Sequence, residues 1–358
     1  MKLLRSLLLS SLALSACTGL DESDETFGET TSDLSVTSWA TFDDGLADGI
    51  GYPPASVLFG GKDYYVYTND NGSPFPGVSH DLYWHRCDGT SCTGRKRITG
   101  QQTSDRVSLA AFNGYIYMVH TGESDGSALW FSRFDPATEQ WSTNVKLTQT
   151  TIDGPPALAA FNNQLYMVGT SEATVTRRGV TITTYPMWYV SMNAAEVFSP
   201  TRSVGRESAS RPSLAAFYGK LYLAHQYGAT GGIAMNTLQP SGTSWTADQV
   251  LTSGTTPLYG YDVQIAEANG FLHLVHSSYS NNYTYWMYFD GCAWAPELTI
   301  DARQTTSRLS MATSRVGVEV ARLHDYGLWP YTANAWISSK FTAPPAPVTV
   351  PLCQPTAG

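Results

Sequence analysis

The stretch Val107-Ser-Leu-Ala-Ala-Phe-Asn-Gly-Tyr-Ile-Tyr-Met-Val-His120 returns, without gaps, as Pro156-Ala-Leu-Ala-Ala-Phe-Asn-Asn-Gln-Leu-Tyr-Met-Val-Gly169 and Pro212-Ser-Leu-Ala-Ala-Phe-Tyr-Gly-Lys-Leu-Tyr-Leu-Ala-His225. Weaker copies run from Pro54 to Tyr67 and from Val263 to His276, and a degenerate sixth spans Leu309 to Arg322. A spacing of about fifty residues means one supersecondary unit per copy, stacked in an array or closed in a ring. Each copy reads as a β-hairpin: a short apolar strand, a two-residue turn rich in Asn and Gly, and a strand rich in aromatic and β-branched residues.

A third aromatic strand follows in several units, at Leu129-Trp130-Phe131, Met187-Trp188-Tyr189 and Tyr285-Trp286-Met287. A fourth segment opens on Trp141, Trp245 or Trp294. Four strands per unit is the pattern of a propeller blade. The Trp-Asp dipeptide of the shorter WD40 repeat is absent, and the Gly-Gly pair of kelch does not recur. The expected fold is therefore an all-β propeller of six four-stranded blades, with a seventh divergent blade as the alternative. Thr37-Ser-Trp39 is like Thr243-Ser-Trp245, which opens a fourth strand, and the sixth copy ends soon after Trp336. The N-terminal strand is thus expected to complete the last blade and close the ring, leaving no open seam.

The ends speak of export. Lys2 and Arg5 precede the apolar run Leu7 to Leu14, which is too short to span a membrane stably. The closing Leu14-Ser15-Ala16-Cys17 resembles the lipobox of bacterial lipoproteins, implying cleavage before Cys17 and its acylation. Thr18 follows Cys17, so by that resemblance the inner-membrane retention signal is lacking. The implied location is the outer membrane, on its periplasmic or cell-surface side. Residues 1–16 form the signal peptide and 17–34 an acidic, polar tether with too few apolar residues to fold. The propeller is expected over 35–343, and a proline-rich tail over 344–358.

Cys87, Cys92, Cys292 and Cys353 make an even set in an exported chain, which points to two disulfides. Cys87 and Cys92 are close enough to staple a loop, and Cys292 with Cys353 would pin the tail; other pairings stay open. Removal of Lys2 and Arg5 leaves a net charge of about −11, and with no prominent basic run nucleic acid is not an expected partner. The seven histidines show no ligand spacing, and His273 and His276 fall on opposite faces of one strand, so neither a metal nor another cofactor is expected.

Candidate binding residues come from the open end of the hairpins. A fixed offset of fourteen associates Arg106 with His120, Arg211 with His225, Asp262 with His276 and Arg308 with Arg322. Arg and His donors to vicinal hydroxyls, with an aromatic face such as Trp130 or Trp286 under a pyranose ring, would form a sugar pocket. The repeated motif resembles that of PLL-like propeller lectins and, more distantly, of fungal fucose-binding propeller lectins. That resemblance implies several shallow sites per ring for fucose or related sugars, and glycans or glycoconjugates as partners. The copies at Pro53/Tyr67 and Pro155/Gly169 lack the charged pair.

Two other readings compete. A sialidase-like propeller glycosidase would need two carboxylates, for which Glu267 and Glu319 are the candidates because each interrupts an apolar hairpin. Ser124-Asp125-Gly126 and Asp290-Gly291 echo Asp-box turns with the wrong spacing. A propeller scaffold for protein interaction needs no small-ligand site. Binding without catalysis is the expectation these residues favour.

Overall fold

The structure is a computed structural model, and it describes residues 38–40, 52–69, 80–89, 91–122, 128–147, 156–177, 180–227, 231–253, 256–301, 305–315, 317–324 and 336–341. The chain divides into two compact units at Leu34/Ser35, and all the described residues belong to the second. They form an all-β propeller architecture, and no helix occurs among them.

Each sequence repeat becomes one antiparallel sheet. The first sheet runs Ala55–Phe59, Lys62–Asn69, His80–Asp88, followed by Ser91–Cys92 and Lys96–Thr103. The second runs Ser108–Phe112, Tyr115–Thr121, Leu129–Asp135, with Gln140–Trp141 and Val145–Leu147 at its edge. The third contains Ala157–Phe161, Gln164–Thr170, Pro186–Asn193 and Arg202–Glu207; the fourth, Ser213–Phe217, Lys220–Tyr227, Gly232–Thr237 and Gln249–Val250. The fifth contains Tyr261–Ala268, Phe271–Ser277, Thr284–Phe289 and Leu298–Asp301. In the last sheet Thr305–Ser314, Gly317–His324 and Trp336–Phe341 are joined by Ser38–Ala40, which pairs antiparallel with Trp336–Phe341 in the register Ser38↔Lys340. The first strand of every sheet packs against that of the next, and Thr305–Ser314 packs against Ala55–Phe59.

The turns explain why these hairpins form where they do. Phe112 pairs with Tyr115 across Asn113-Gly114, and both turn residues take positive φ, 48° and 82°. That is the primed geometry whose twist matches a hairpin, and Asn and Gly adopt it at least cost. Asn162-Asn163, Tyr218-Gly219, Asn269-Gly270 and Gly60-Gly61 repeat it.

The core lies between neighbouring sheets. Phe112, Tyr117 and Phe131 of the second meet Leu158, Met167 and Trp188 of the third, and Tyr166 and Tyr189 of the third meet Leu221 and Trp245 of the fourth. Small residues recur nearest the axis, where Ala110, Ala159, Ala215 and Ala266 are all buried. The outermost strands are held by the tryptophans expected to open them: Trp141 pairs with Phe134, and Trp245 and Trp294 bridge Leu238 and Phe289. Two extra hairpins, Ala173–Arg177 with Val180–Thr184 and Thr252–Ser253 with Thr256–Pro257, emerge from the open-end face.

Cys87 and Cys92 form a disulfide that staples the turn after the third strand of the first sheet. Cys292 is also disulfide-bonded, while Cys353 lies outside the described residues, as do Cys17 and the whole of residues 1–34 and 344–358.

Candidate functional site

The open ends of the hairpins build two different regions. The first is axial: a narrow cavity of about 90 Å³ enclosed by the first strands of all these sheets, with Arg106 and Arg211 at its wall. A bulge between Tyr261 and Gln264 breaks the hairpin register, and Asp262 takes a φ of 53°. This aims its carboxylate at Arg106 rather than at His276. Arg106 Nη2 donates to Asp262 Oδ1 at 2.6 Å and Nη1 to Oδ2 at 3.1 Å, and both side chains are buried. Arg106 also donates to the Leu309 carbonyl, and the Leu309 amide donates to Asp262. Three sheets are thereby tied together by one two-pronged ion pair. Arg211 in turn pairs with Asp105.

The expected association of Arg106 with His120 therefore resolves into two separate contacts, because residue 106 lies before the strand and turns to the axis. His120, fully buried, turns into its own sheet. Its Nε2 meets the Asn144 side chain at 3.1–3.3 Å, and its Nδ1 is 3.0 Å from the Thr121 carbonyl oxygen. Burial pushes its pKa below the ordinary histidine range. His225 makes the same contact with Asp248 at 3.3 Å, and His276 with Glu297 at 2.6 Å. In each of these sheets the second strand thus grips the segment leading to the outermost strand. Asp248 also accepts from Asn236 and Arg206. Burial raises its pKa, but the hydrogen bonds and positive neighbours outweigh it and the net shift is downward. Where the third sheet has Gly169, a side chain would collide with the indole of Trp188, which occupies the space that histidine fills elsewhere.

The remaining candidates divide between packing and surface. Trp286 is buried, stacks on His273 at 5.8 Å between ring centres and donates to its Nδ1 at 3.1 Å. Trp130 is partly buried opposite His120. The strands carrying Arg308 and Arg322 are described, and their side chains lie outside the described residues. Of the two glutamates, Glu319 is buried and accepts from the Tyr65 hydroxyl at 2.7 Å. Burial, then the Glu319 charge, raises the Tyr65 pKa. Glu267 accepts from the Gly270 amide at 3.2 Å, in the turn at the opposite end of the hairpin.

The second region lies beside the fifth sheet: a pocket of about 490 Å³ walled by Tyr259, Tyr279 and Tyr285, with His276, Glu297 and the hydroxyls of Ser278 and Ser280. That size suits a small organic ligand. Tyr259 and Tyr279 are 46% and 54% exposed, which leaves much of each aromatic ring open to a ligand. Tyr285 stacks on His276 at 5.7 Å and accepts from Asn281. Tyr279 is held by the Gln226 amide and by the edge of Tyr261. Gly260 and Gly231 are required here, since a Cβ would run into His276 at the first and Tyr279 at the second.

Of this set, His276 alone was singled out by the repeat. Tyr259, Tyr279 and Glu297 belong to connecting segments where copies differ, so no recurrence marks them, and Tyr285 lies in the aromatic third strand that several copies share. The local signal was a density of tyrosines between Tyr259 and Tyr285.

No family model and no curated protein matches the chain. Among solved structures, a protein of unknown function from Dyadobacter fermentans superposes with a TM-score of 0.59 at 11% identity, covering 81% of this chain and 96% of the other. The Hadza microbial sialidase matches with a TM-score of 0.57 at 14% identity, over 82% of this chain and 68% of that one. The Trypanosoma rangeli sialidase gives 0.54 at 9% identity, over 81% and 54%. At such identities the likeness concerns the propeller fold alone.

Proposed function

We propose that this protein is an exported carbohydrate-binding propeller that takes up sugar in the tyrosine pocket of the fifth sheet. The observation that carries the reading is the pairing of open aromatic faces, Tyr259 and Tyr279, with polar groups from Glu297, Ser278 and Ser280 around one cavity, where His276 holds Glu297. A pyranose offers an apolar face to stack on a ring and hydroxyls for the polar groups, so both halves of the wall have a use. Among the described residues Glu297 is the one carboxylate on that wall, whereas glycoside hydrolysis generally uses two flanking the scissile bond. Binding is accordingly preferred over cleavage. Weaker sites at the other repeats, for fucose or a related sugar, belong to the same proposal, with avidity adding the strength that single shallow sites lack.

We read the ring as six blades closed by the N-terminal strand, a reading supported by the Ser38↔Lys340 pairing and by the packing of Thr305–Ser314 on Ala55–Phe59. Leu14-Ser15-Ala16-Cys17 supports acylation of Cys17 and an outer-membrane location. Metabolic labelling with a fatty acid should mark the wild type and not Cys17→Ser.

A glycan array probed with the purified protein tests the binding reading. Selective signals competed by free sugar, and lost on Tyr279→Ala with the fold intact, are expected. A folded wild-type protein that binds no glycan overturns it.

A further inference from the structure

Resting on the carbohydrate reading of the tyrosine pocket, we infer that its ligand carries a free ammonium group: an amino sugar whose nitrogen is not acetylated. Of the described residues that wall the pocket, Glu297 is the single acid, and neither Lys nor Arg is among them. His276 donates from Nε2 to Glu297 Oε1 at 2.6 Å. Nδ1 is buried and has no hydrogen-bond partner among the described residues, with Gly260 packed against it. Neither nitrogen of His276 is therefore open to a ligand, and the Glu297 carboxylate is the group of this pair that can meet one.

The Glu297 side chain is 21% exposed, enough to meet a ligand. Three tyrosine rings beside one carboxylate are attractive to a cation twice over, through the ring faces and through the charge. The same wall repels an anion. A sialic acid, whose carboxylate would need cationic donors, is therefore a poor fit, although two of the structures with this fold are named as sialidases. An N-acetylated sugar would place a neutral amide against Glu297 and forgo the ion pair.

Calorimetric titration of the purified full chain near pH 6 with glucosamine oligomers, N-acetylglucosamine oligomers of the same length, glucose oligomers and sialyllactose separates these ligands. The free amine should bind at least about tenfold tighter than its acetylated counterpart, weaken as salt rises, and exceed sialyllactose by more. Glu297→Gln should narrow the amine-to-acetyl ratio. Should that variant misfold, Tyr279→Phe should retain the preference, because the ring face remains, and Tyr279→Leu should lose it. Equal or tighter binding of the acetylated, glucose or sialylated probe overturns the inference and leaves sugar binding standing. Choline, added as a competitor, tests whether the cation must come on a sugar. Choline binding more tightly than glucosamine oligomers overturns the amino-sugar assignment. Absence of binding by all four sugars overturns both this inference and the reading beneath it.

Discussion

The axial cavity and the tyrosine pocket are built at the same face of the propeller, from the same part of the repeat, and come out chemically opposite. Around the axis the polar groups consume one another: Arg106 uses Asp262 and the Leu309 carbonyl, and Arg211 uses Asp105. At the fifth sheet aromatic faces remain open to a ligand beside a partly exposed carboxylate, with Tyr279 more than half exposed. A recurring charged position in a repeat protein is thus evidence of a recurring constraint, and the constraint here is assembly of the ring. The open aromatic faces sit where the repeat breaks down, in the loops that carry Tyr259 and Tyr279.

The largest effect should follow from attacking the axial pair. Asp262→Ala leaves the Arg106 guanidinium buried without its counter-ion, and removing one partner of a buried pair costs on the order of 3–5 kcal/mol. Chemical denaturation should show that loss. A double replacement, Arg106→Met with Asp262→Leu, should recover much of it, since no charge is then stranded. If Asp262→Ala were instead neutral to stability yet lowered sugar affinity, the contrast between a structural axis and a binding pocket would be reversed.

Acid should separate scaffold histidines from the pocket. Burial lowers the pKa of His85 and of His273 to about 4. A histidine with a depressed folded pKa favours the folded state above its unfolded pKa of about 6.5, where both states are neutral. Between about 6.5 and 4 the unfolded chain takes up a proton that the folded chain refuses, so stability falls with pH. Each group can contribute up to about 3 kcal/mol across that window. Denaturant midpoints measured from pH 7 to 4 should fall steeply, and His85→Phe should make the slope shallower. Asp248 adds a separate, lower limb: its depressed pKa stabilises the fold above the unfolded carboxylate value and is lost as pH drops through the folded one.

At the pocket the expectation is the converse, a binding defect without a folding defect. Tyr279→Ala removes a half-exposed ring, so its melting temperature should stay near wild type while sugar affinity drops about tenfold, the scale of one aromatic or cation–π contact. An equal loss of stability in Tyr279→Ala and Asp262→Ala would show that both regions are scaffold.

How much of this could be read in advance follows from where repetition acts. The hairpins were legible because Leu-Ala-Ala-Phe and the Asn-Gly turn encode local geometry, and both recur. The Cys87–Cys92 staple was legible from a short spacing. The partner of Arg106 was not, since Asp262 stands 156 residues away and reaches it through a bulge that no local pattern announces. Nor was the grip of His120 on Asn144, His225 on Asp248 and His276 on Glu297, because its acceptor changes identity and its separation drifts through 24, 23 and 21 residues. Glu297 was missed for the same reason, and with it the pocket's charge.

The smallest effect belongs to the opposite end of the hairpin, away from both regions. Tyr218 holds the turn position occupied by Asn113 in the second sheet, at a φ of 42° that a bulky residue rarely adopts. Its ring stacks on Phe217 at 4.1 Å and covers Gly291, and its hydroxyl donates to the Gly270 carbonyl at 3.2 Å. Tyr218→Ala and Tyr218→Asn both forfeit those contacts, but asparagine tolerates the left-handed backbone better. The asparagine variant should therefore be more stable than the alanine variant by about 0.5–1 kcal/mol, measurable as a difference in denaturant midpoint at constant slope. Equal stability of the two would mean that the turn relaxes away from positive φ once the ring is gone. The conformation would then be held by the stack on Phe217 rather than by the hairpin's own twist. Sugar affinity should be unchanged in both variants, since neither touches the face on which the pocket and the axis lie.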